Sequence, residues 1–283
     1  NLLLRERSDL DLRDAASVHR FYETERPDIV VLAAARVGGI LANSRCPAEF
    51  IHDNLAIQTN VIHSAWQFGA RKLLFLGSSC IYPRDCPQPI REDYLLTGPL
   101  ETSNEPYAIA KIAGLRMCQA YRRQYGFDAI VAMPTNLYGP GDNFHPMDSH
   151  VLPALIRRFH DARERGDPEV AIWGTGTPRR EFLHVDDLSS AAVFMLRNYS
   201  DLDFLNVGTG EDISILELAR LVAEIVGYQG AIALDQSKPD GTPRKLLDIA
   251  RISGLGWRRD VGLRQGIIDT YRWYVDNQDR FRA

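Results

Sequence analysis

The chain of 283 residues has no apolar run approaching the ~20 residues that cross a bilayer, and its first residues lack the basic-then-apolar layout of a secretion signal. A cytoplasmic location is the expectation. Cysteine is scarce: Cys46, Cys80, Cys86 and Cys118 are widely spaced, with no Cys-x-x-Cys and no neighbouring histidine pair. Neither a disulfide framework nor a zinc site is indicated, no metal is expected, and a cysteine that matters here matters as a thiol. An excess of one charge is also lacking, since 33 Lys and Arg stand against 37 Asp and Glu for a net charge of -4 without a long basic cluster. That removes the electrostatic basis for nucleic-acid binding. With 45% hydrophobic and 25% charged residues, and no internal repeat, the composition is neither disordered nor fibrous.

What is present is a repeating order of elements. Short apolar runs at 29–35, 72–77, 129–133, 170–173 and 204–207 alternate with longer amphipathic stretches. Runs without polar alternation fit strands buried on both faces. Strand, helix, strand repetition argues for an α/β fold with a Rossmann-like, doubly wound parallel sheet. Leu2-Leu3-Leu4 reads as a further strand. In a dinucleotide-binding sheet a first strand and a glycine-rich turn come before such a strand, and neither is in the sequence. The expectation is therefore an N-terminally incomplete NADP-binding domain over 1–140. Glycine and proline punctuation rises after 134, and 141–283 reads as a smaller, mainly substrate-binding part with segments returning to the sheet. Helical candidates at 47–68 and 106–125 carry apolar residues beyond one stripe, such as Ile57, Val61, Ile62 and Trp66. Burial inside one subunit and a helix-to-helix dimer interface both explain them.

Tyr107 and Lys111 stand four apart, a spacing that puts both on one face of a helix. A lysine ammonium beside a phenol is expected to lower the tyrosine pKa, and a serine from Gly77-Ser78-Ser79-Cys80 can hold a substrate carbonyl at the same oxygen. The plain alternative is a surface pair, because Tyr-x-x-x-Lys is common on helices. Arg5-Glu6-Arg7 follows Leu2-Leu3-Leu4 where such sheets meet the adenosine ribose, and two arginines there point to the 2'-phosphate of NADP(H). A solvated charged turn is the alternative. Small residues in Ala33-Ala34-Ala35-Arg36-Val37-Gly38-Gly39 suit close passage of a cofactor or a tight turn.

Five segments together carry more: Gly77-Ser78-Ser79-Cys80-Ile81-Tyr82-Pro83, Asn104-Glu-Pro-Tyr107-Ala-Ile-Ala-Lys111, Pro134-Thr-Asn136-Leu-Tyr-Gly-Pro140, Arg179-Arg-Glu-Phe-Leu-His-Val-Asp-Asp187 and Lys238-Pro-Asp240-Gly-Thr-Pro-Arg-Lys245. With these, essentially the whole chain resembles the extended short-chain dehydrogenase/reductases that act on nucleotide sugars. Ser-Ser-Cys-Ile-Tyr-Pro, Asp142-Asn-Phe-His-Pro146 and the Lys238–Lys245 segment in one chain narrow the resemblance to an epimerase-reductase branch. That branch turns GDP-4-keto-6-deoxy-D-mannose into GDP-L-fucose with NADPH.

The resemblance implies two half reactions. A C4 ketone acidifies the hydrogens at C3 and C5, so a base and an acid can invert both centres through an enolate. Cys80 is the implied base and His150 the implied acid, thiols and imidazoles being suited to proton transfer near neutrality. Ser78 and Tyr107 hold the enolate oxygen, Tyr107 protonates the C4 alkoxide after hydride transfer, and Lys111 supports the tyrosine and holds the nicotinamide ribose. Ser78 is preferred to Ser79 because consecutive strand residues face opposite ways. Implied cofactor contacts are Arg7, Leu76, Gly77, Ser78, Ser79, Tyr107, Lys111, Pro134, Thr135, Asn136, Leu137 and His150. Implied substrate contacts are Asn136, Arg158, Trp173, Arg180 and Asp240, with the arginines as forks for a diphosphate and Trp173 as a stacking surface. His145 and His184 read as structural. The expected partners are a GDP-sugar and a second copy of the chain through 47–68 and 106–125, with neither nucleic acid nor membrane. Two other readings stand: a sibling epimerase or dehydratase with retained NAD, and a catalytically silent nucleotide-binding protein of the same fold.

Overall fold

The computed structural model describes residues 1–280 except 147 and 239; Pro239 of the Lys238–Lys245 segment thus lies outside the described residues. In chain order, α1 (Ala15–Glu25) leads into β1 (Ile29–Leu32), α2 (Ile40–Arg45) and α3 (Pro47–Gln67) into β2 (Lys72–Leu76), and α4 (Glu105–Tyr125) into β3 (Asp128–Pro134) and β4 (Asn136–Tyr138). Then come α5 (Val151–Arg165), β5 (Glu169–Trp173), β6 (Arg179–Arg180), β7 (Phe182–His184), α6 (Val185–Asn198) and β8 (Leu205–Val207). The remainder is β9 (Ile213–Ser214), α7 (Ile215–Val226), β10 (Ala231–Asp235), β11 (Arg244–Lys245), α8 (Ala250–Gly254) and α9 (Leu263–Asp276).

Strands β1, β2, β3 and β8 form one parallel sheet in that order. Leu73 and Phe75 of β2 point to one face, where they pack with Val18 of α1, Val61 and Ile62 of α3 and Leu115 of α4. Leu74 points to the other face, against Ile130, Leu188 and Ala191 of α6 and Ile252 of α8. Each such buried side chain removes enough apolar surface from water to contribute on the order of 2 kcal/mol. The central strand is thus buried on both sides, as the unbroken apolar run predicts.

Two other runs behave differently. In β1 burial alternates, with Ile29 43% and Val31 49% exposed, because this strand is at the sheet edge and covered on one side. The expected sheet strand near 170–173 is in a different place: β5 pairs with β10 in a separate two-stranded sheet, and its burial alternates too. Leu2-Leu3-Leu4 does not form the expected strand. It pairs with no strand among the described residues, and Leu2 and Leu4 are exposed. An apolar triplet becomes a strand only when a neighbouring edge takes its hydrogen bonds.

A second core gathers Phe144, Leu155, Ile156 and Phe159 with Leu218 and Val222 of α7 and Ile267 of α9. Helix α7 is fixed at its start by a capping box between Ser214 and Glu217 and at its end by Gly227 in the left-handed region. Between the two cores, β4 pairs with β7, and β11, β6 and β9 form a small sheet. Helix α4 lies tightly on the main sheet because Gly114 has no side chain: a Cβ there would sit 2.6 Å from the Phe75 ring and 2.7 Å from Gln58 Oε1. Gln58 in turn donates to the Ala110 carbonyl at 2.6 Å. That packing presents the first turns of α4 to the C-terminal end of β2, the end at which parallel sheets collect their ligands. Among the described residues, no helix is long and apolar enough to cross a membrane.

Candidate active site

Past Leu76 the chain makes one 3-10 turn over Ser79–Ile81, capped by Ser78, whose Oγ accepts the Cys80 N–H at 3.3 Å. Tyr107 and Lys111 come down onto this turn from α4. Lys111 is buried; its Nζ donates to the Leu76 carbonyl at 2.9 Å and lies 4.9 Å from the Phe75 ring centre and 5.9 Å from that of Tyr107. Among the described residues no carboxylate pairs with it, and burial pulls its pKa down to about 8. The expectation that Lys111 lowers the Tyr107 pKa is corrected. Burial dominates and pushes the phenol up, the nearby Cys80 adds to the rise, and a hydrogen bond with Ser78 partly offsets it. Lys111 addresses a backbone carbonyl and a ring face rather than the phenolic oxygen.

Cys80 is half-buried, and its sulfur accepts hydrogen bonds from Asn104 Nδ2 at 3.2 Å and Lys245 Nζ at 3.8 Å. Arg180 lies near enough to sense it. The Arg180 guanidinium donates to the Arg179 carbonyl at 2.8 Å; burial lowers its pKa, while Cys80, Asp240 and Glu101 pull the other way. Four of the expected residues, Ser78, Cys80, Tyr107 and Lys111, are thus in one cluster, with Arg180 on its border.

Three other expected substrate residues, Arg158, Trp173 and Asp240, gather around the 171–177 segment. Arg158 donates to the Ala171 carbonyl at 2.8 Å, Trp173 is 40% exposed at the end of β5, and Lys238 Nζ lies 5.9 Å from the centre of its ring. Asp240 accepts from Thr175 N at 2.7 Å and Thr175 Oγ1 at 2.9 Å. Gly174 has φ +77°, and a Cβ there would collide with the Asp240 carboxylate. Both Asp240 oxygens therefore close this turn, each keeping a second lone pair for a ligand hydroxyl.

Other expected residues are placed by the backbone. Gly77 N donates to Ala132 O at 2.9 Å and Thr135 N to Val207 O at 3.0 Å, which aligns Leu76, Gly77 and Pro134 along the C-terminal edge of the sheet, while Leu137 lies in β4 opposite Leu183 of β7. Ser79 is buried. Thr135 Oγ1 and Asn136 Nδ2 both donate to Glu181 O, at 3.2 and 2.8 Å. Arg7 is exposed in a turn ahead of α1, near Asp11, whose carboxyl is held low by Arg13 with Arg7 adding a little. His150 caps α5 without a side-chain hydrogen bond and is not joined to Cys80 or Tyr107. The residue as a whole is exposed, while burial by neighbouring protein atoms lowers the pKa of its ring. The loop before it leans on the Ala33–Gly39 segment, with Gly39 N donating to Asp148 O at 3.3 Å. His145 and His184 accept backbone N–H groups of Asp148 and Asp186, each at 3.3 Å, in the structural role expected. Two open hollows of about 700 and 550 Å³, beside Trp257 and His160, contain none of these residues.

Three residues went unassigned in the sequence, although each falls inside a quoted segment: Asn104, Lys245 and Glu181. Glu181 is fully buried and accepts the N–H groups of Thr209 at 2.5 Å, Gly210 at 2.7 Å and Leu247 at 2.9 Å. Burial raises its pKa against the pull of these donors. It ties β6, the 208–210 loop and the chain beyond Lys245 together. A charged residue between two arginines and a buried Phe was the only signal available for it.

The profile of the NAD dependent epimerase/dehydratase family matches residues 3–208. A probable GDP-L-fucose synthase 1 of Oryza sativa subsp. japonica is 60% identical over 278 residues, 98% of this chain and 85% of the relative. The GDP-L-fucose synthase of Escherichia coli strain K12 is 54% identical over 291 aligned positions, 100% of this chain and 91% of the relative. Among solved structures, a GDP-L-fucose synthetase from Naegleria fowleri bound to NADP superposes with a TM-score of 0.89 at 28% identity, covering 98% of this chain and 86% of that one. Sheet order and likeness agree, and the chain belongs to the NAD dependent epimerase/dehydratase family.

Proposed function

We propose that the protein carries out NADPH-dependent 3,5-epimerisation and 4-reduction of GDP-4-keto-6-deoxy-D-mannose to GDP-L-fucose. One observation carries the reading: a phenol beside a buried lysine and a thiol hydrogen-bonded by an amide and a cation share one cluster at the end of β2. A plain reductase needs only the first. The relatives' names fix the sugar and the base, which side chains alone leave open. NADP(H) suits the residues present, because Lys111 is a buried ammonium with a single backbone carbonyl for a partner, and a ribose diol offers the acceptors it lacks. The same reading takes 1–140 as mainly dinucleotide-binding and 141–283 as mainly substrate-binding.

Within this reading Cys80 removes the protons at C3 and C5, and His150 delivers protons at the opposite face. Ser78 and Tyr107 hold the C4 oxygen while negative charge develops on it. Bound NADPH supplies the hydride to C4. Tyr107 then gives its proton to the C4 oxygen, and Arg158 and Arg180 hold the diphosphate. A second copy of the chain is proposed to cover the aromatic patch on α3 and α4, where Trp66 stacks on Tyr125 at 4.2 Å and Tyr125 is 47% exposed. The cytoplasm is the proposed location, where both nucleotides are available. Incubation of the protein with the GDP-keto sugar and NADPH is expected to oxidise NADPH and yield GDP-L-fucose. No oxidation beside a competent control enzyme rejects the reading.

A further inference from the structure

The sulfur of Cys80 is approached from three elements. From α4 come Asn104 Nδ2, donating at 3.2 Å, and the raised-pKa phenol of Tyr107; from β6 comes the charge of Arg180; from β11 comes Lys245 Nζ at 3.8 Å. Of the two cations, Arg180 spends a donor on the Arg179 carbonyl, whereas Lys245 has no carboxylate partner among the described residues. Its neighbour Arg244 faces the other way and pairs with Asp212 at 2.5 Å, as alternation along a strand requires.

The backbone around Lys245 is unusually well fixed. Lys245 lies opposite Arg180 in the parallel β11–β6 pair. Leu246 N donates to Gln88 Oε1 at 2.9 Å, Leu246 O accepts from Ile90 N at 2.7 Å, and Leu247 N donates to Glu181 at 2.9 Å. A long, flexible side chain is thereby started from a rigid point and ends at one sulfur, 165 residues away in sequence. A lysine without a carboxylate, set on a fixed strand and pointed at a thiol, has one evident electrostatic use.

We propose that Lys245 is the counter-ion of the Cys80 thiolate, a positioning residue that keeps the base of the epimerisation half in its reactive form. The catalytic meaning of this rests on the proposed function, but the interaction itself does not need substrate. Asn104 adds a neutral hydrogen bond to the same anion. Arg180 contributes charge from further off and is occupied by the substrate diphosphate during turnover. The charge of Lys245 also reaches the buried Cys86 thiol, whose pKa burial pushes up.

The test is the pH dependence of Cys80 alkylation by iodoacetamide in the free, full chain, followed at the Cys80 peptide by mass spectrometry. Lys245→Met and Lys245→Gln are expected to move the half-maximal pH upward by about one unit, a ~tenfold loss of reactive thiolate at a given lower pH. Lys245→Arg should restore most of the shift. The acid limb of C3 and C5 proton exchange should move in parallel. Unchanged alkylation midpoints in both neutral variants, with melting temperatures near wild type, make Lys245 a packing residue and overturn the proposal. If one neutral variant unfolds, the other decides. Alkylation that shifts in a protein that leaves the GDP-keto sugar untouched rejects the proposed function while keeping the counter-ion.

Discussion

The two halves of the site are built on opposite electrostatic principles. Tyr107 and Lys111 belong to one helix, pack on the end of one strand, and sit in dry surroundings that raise the phenol pKa and depress the ammonium. Cys80 is served by residues from α4, β6 and β11 and is surrounded by a hydrogen-bond donor and two cations. Dehydration favours the uncharged forms of both groups in the first half. In the second, hydrogen-bond donors face the sulfur instead. A site that must first stabilise a base and later deliver a proton has reason to keep these two environments separate yet adjacent.

The largest effects should come from breaking one half at a time. Cys80→Ser is expected to cut solvent exchange at C3 and C5 by ~10³-fold or more while sparing the fold. Tyr107→Phe should instead leave exchange measurable and reduce NADPH oxidation by ~10²–10⁴-fold. Deuterium incorporation and cofactor absorbance report the two separately. If either substitution abolishes both activities equally, the halves are not separable.

Next in size is the scaffold that joins them. Glu181→Ala removes the acceptor of the Thr209, Gly210 and Leu247 N–H groups inside the protein. At ~1 kcal/mol or more for each orphaned donor, a loss of ~3 kcal/mol or more is expected. Denaturant unfolding measures it. Because Leu247 follows Lys245 closely, the loss should be accompanied by weaker Cys80 reactivity, with less change at Tyr107. A uniform loss across both halves would show that Glu181 supports the whole sheet edge.

A smaller, pH-dependent effect belongs to the dry half. With its folded pKa near 8 and its ordinary value at 10.5, Lys111 costs stability while it is charged, and wild type recovers that stability as pH rises from about 8 to 10.5. Lys111→Met should therefore match or exceed wild type in melting temperature at pH 7. Its lead should shrink toward pH 10.5, even as NADPH oxidation falls ~10²-fold. A constant gap across that window contradicts the dehydrated-ammonium account.

How much of this was readable in the residues depends on distance along the chain. The Tyr107–Lys111 pair was legible because four residues on a helix fix a face, and the apolar run of β2 because a central parallel strand has no polar side. The direction of the tyrosine shift was not, since it depends on how much water the packing around the ring, Phe50 included, excludes. Lys245 and Glu181 sat inside quoted segments without a role, as nothing local reveals that β11 pairs with β6 and turns one of two adjacent cations toward Cys80. Leu2-Leu3-Leu4 forms no strand and the 170–173 strand joins a separate sheet for the same reason: apolarity announces a strand, while its partner decides whether and where it forms.

Asp142 offers the finest test, because burial shifts it as it does Lys111, while its hydrogen bond goes to neither half. Its Oδ1 accepts the Asn143 N–H at 2.7 Å, its Oδ2 is buried without a partner, and burial lifts its pKa from 3.8 to about 6. A carboxyl whose folded pKa is raised adds stability below its ordinary value, and that contribution is lost as pH rises through the folded one. Wild type should thus lose melting temperature between pH 4 and about 6 relative to Asp142→Asn, and the variant should be slightly the more stable above that window. Both half reactions should persist in the variant. If the Asn substitution instead silences one of them, Asp142 belongs to that half, and the dry environment extends from α4 across to the loop that carries His150.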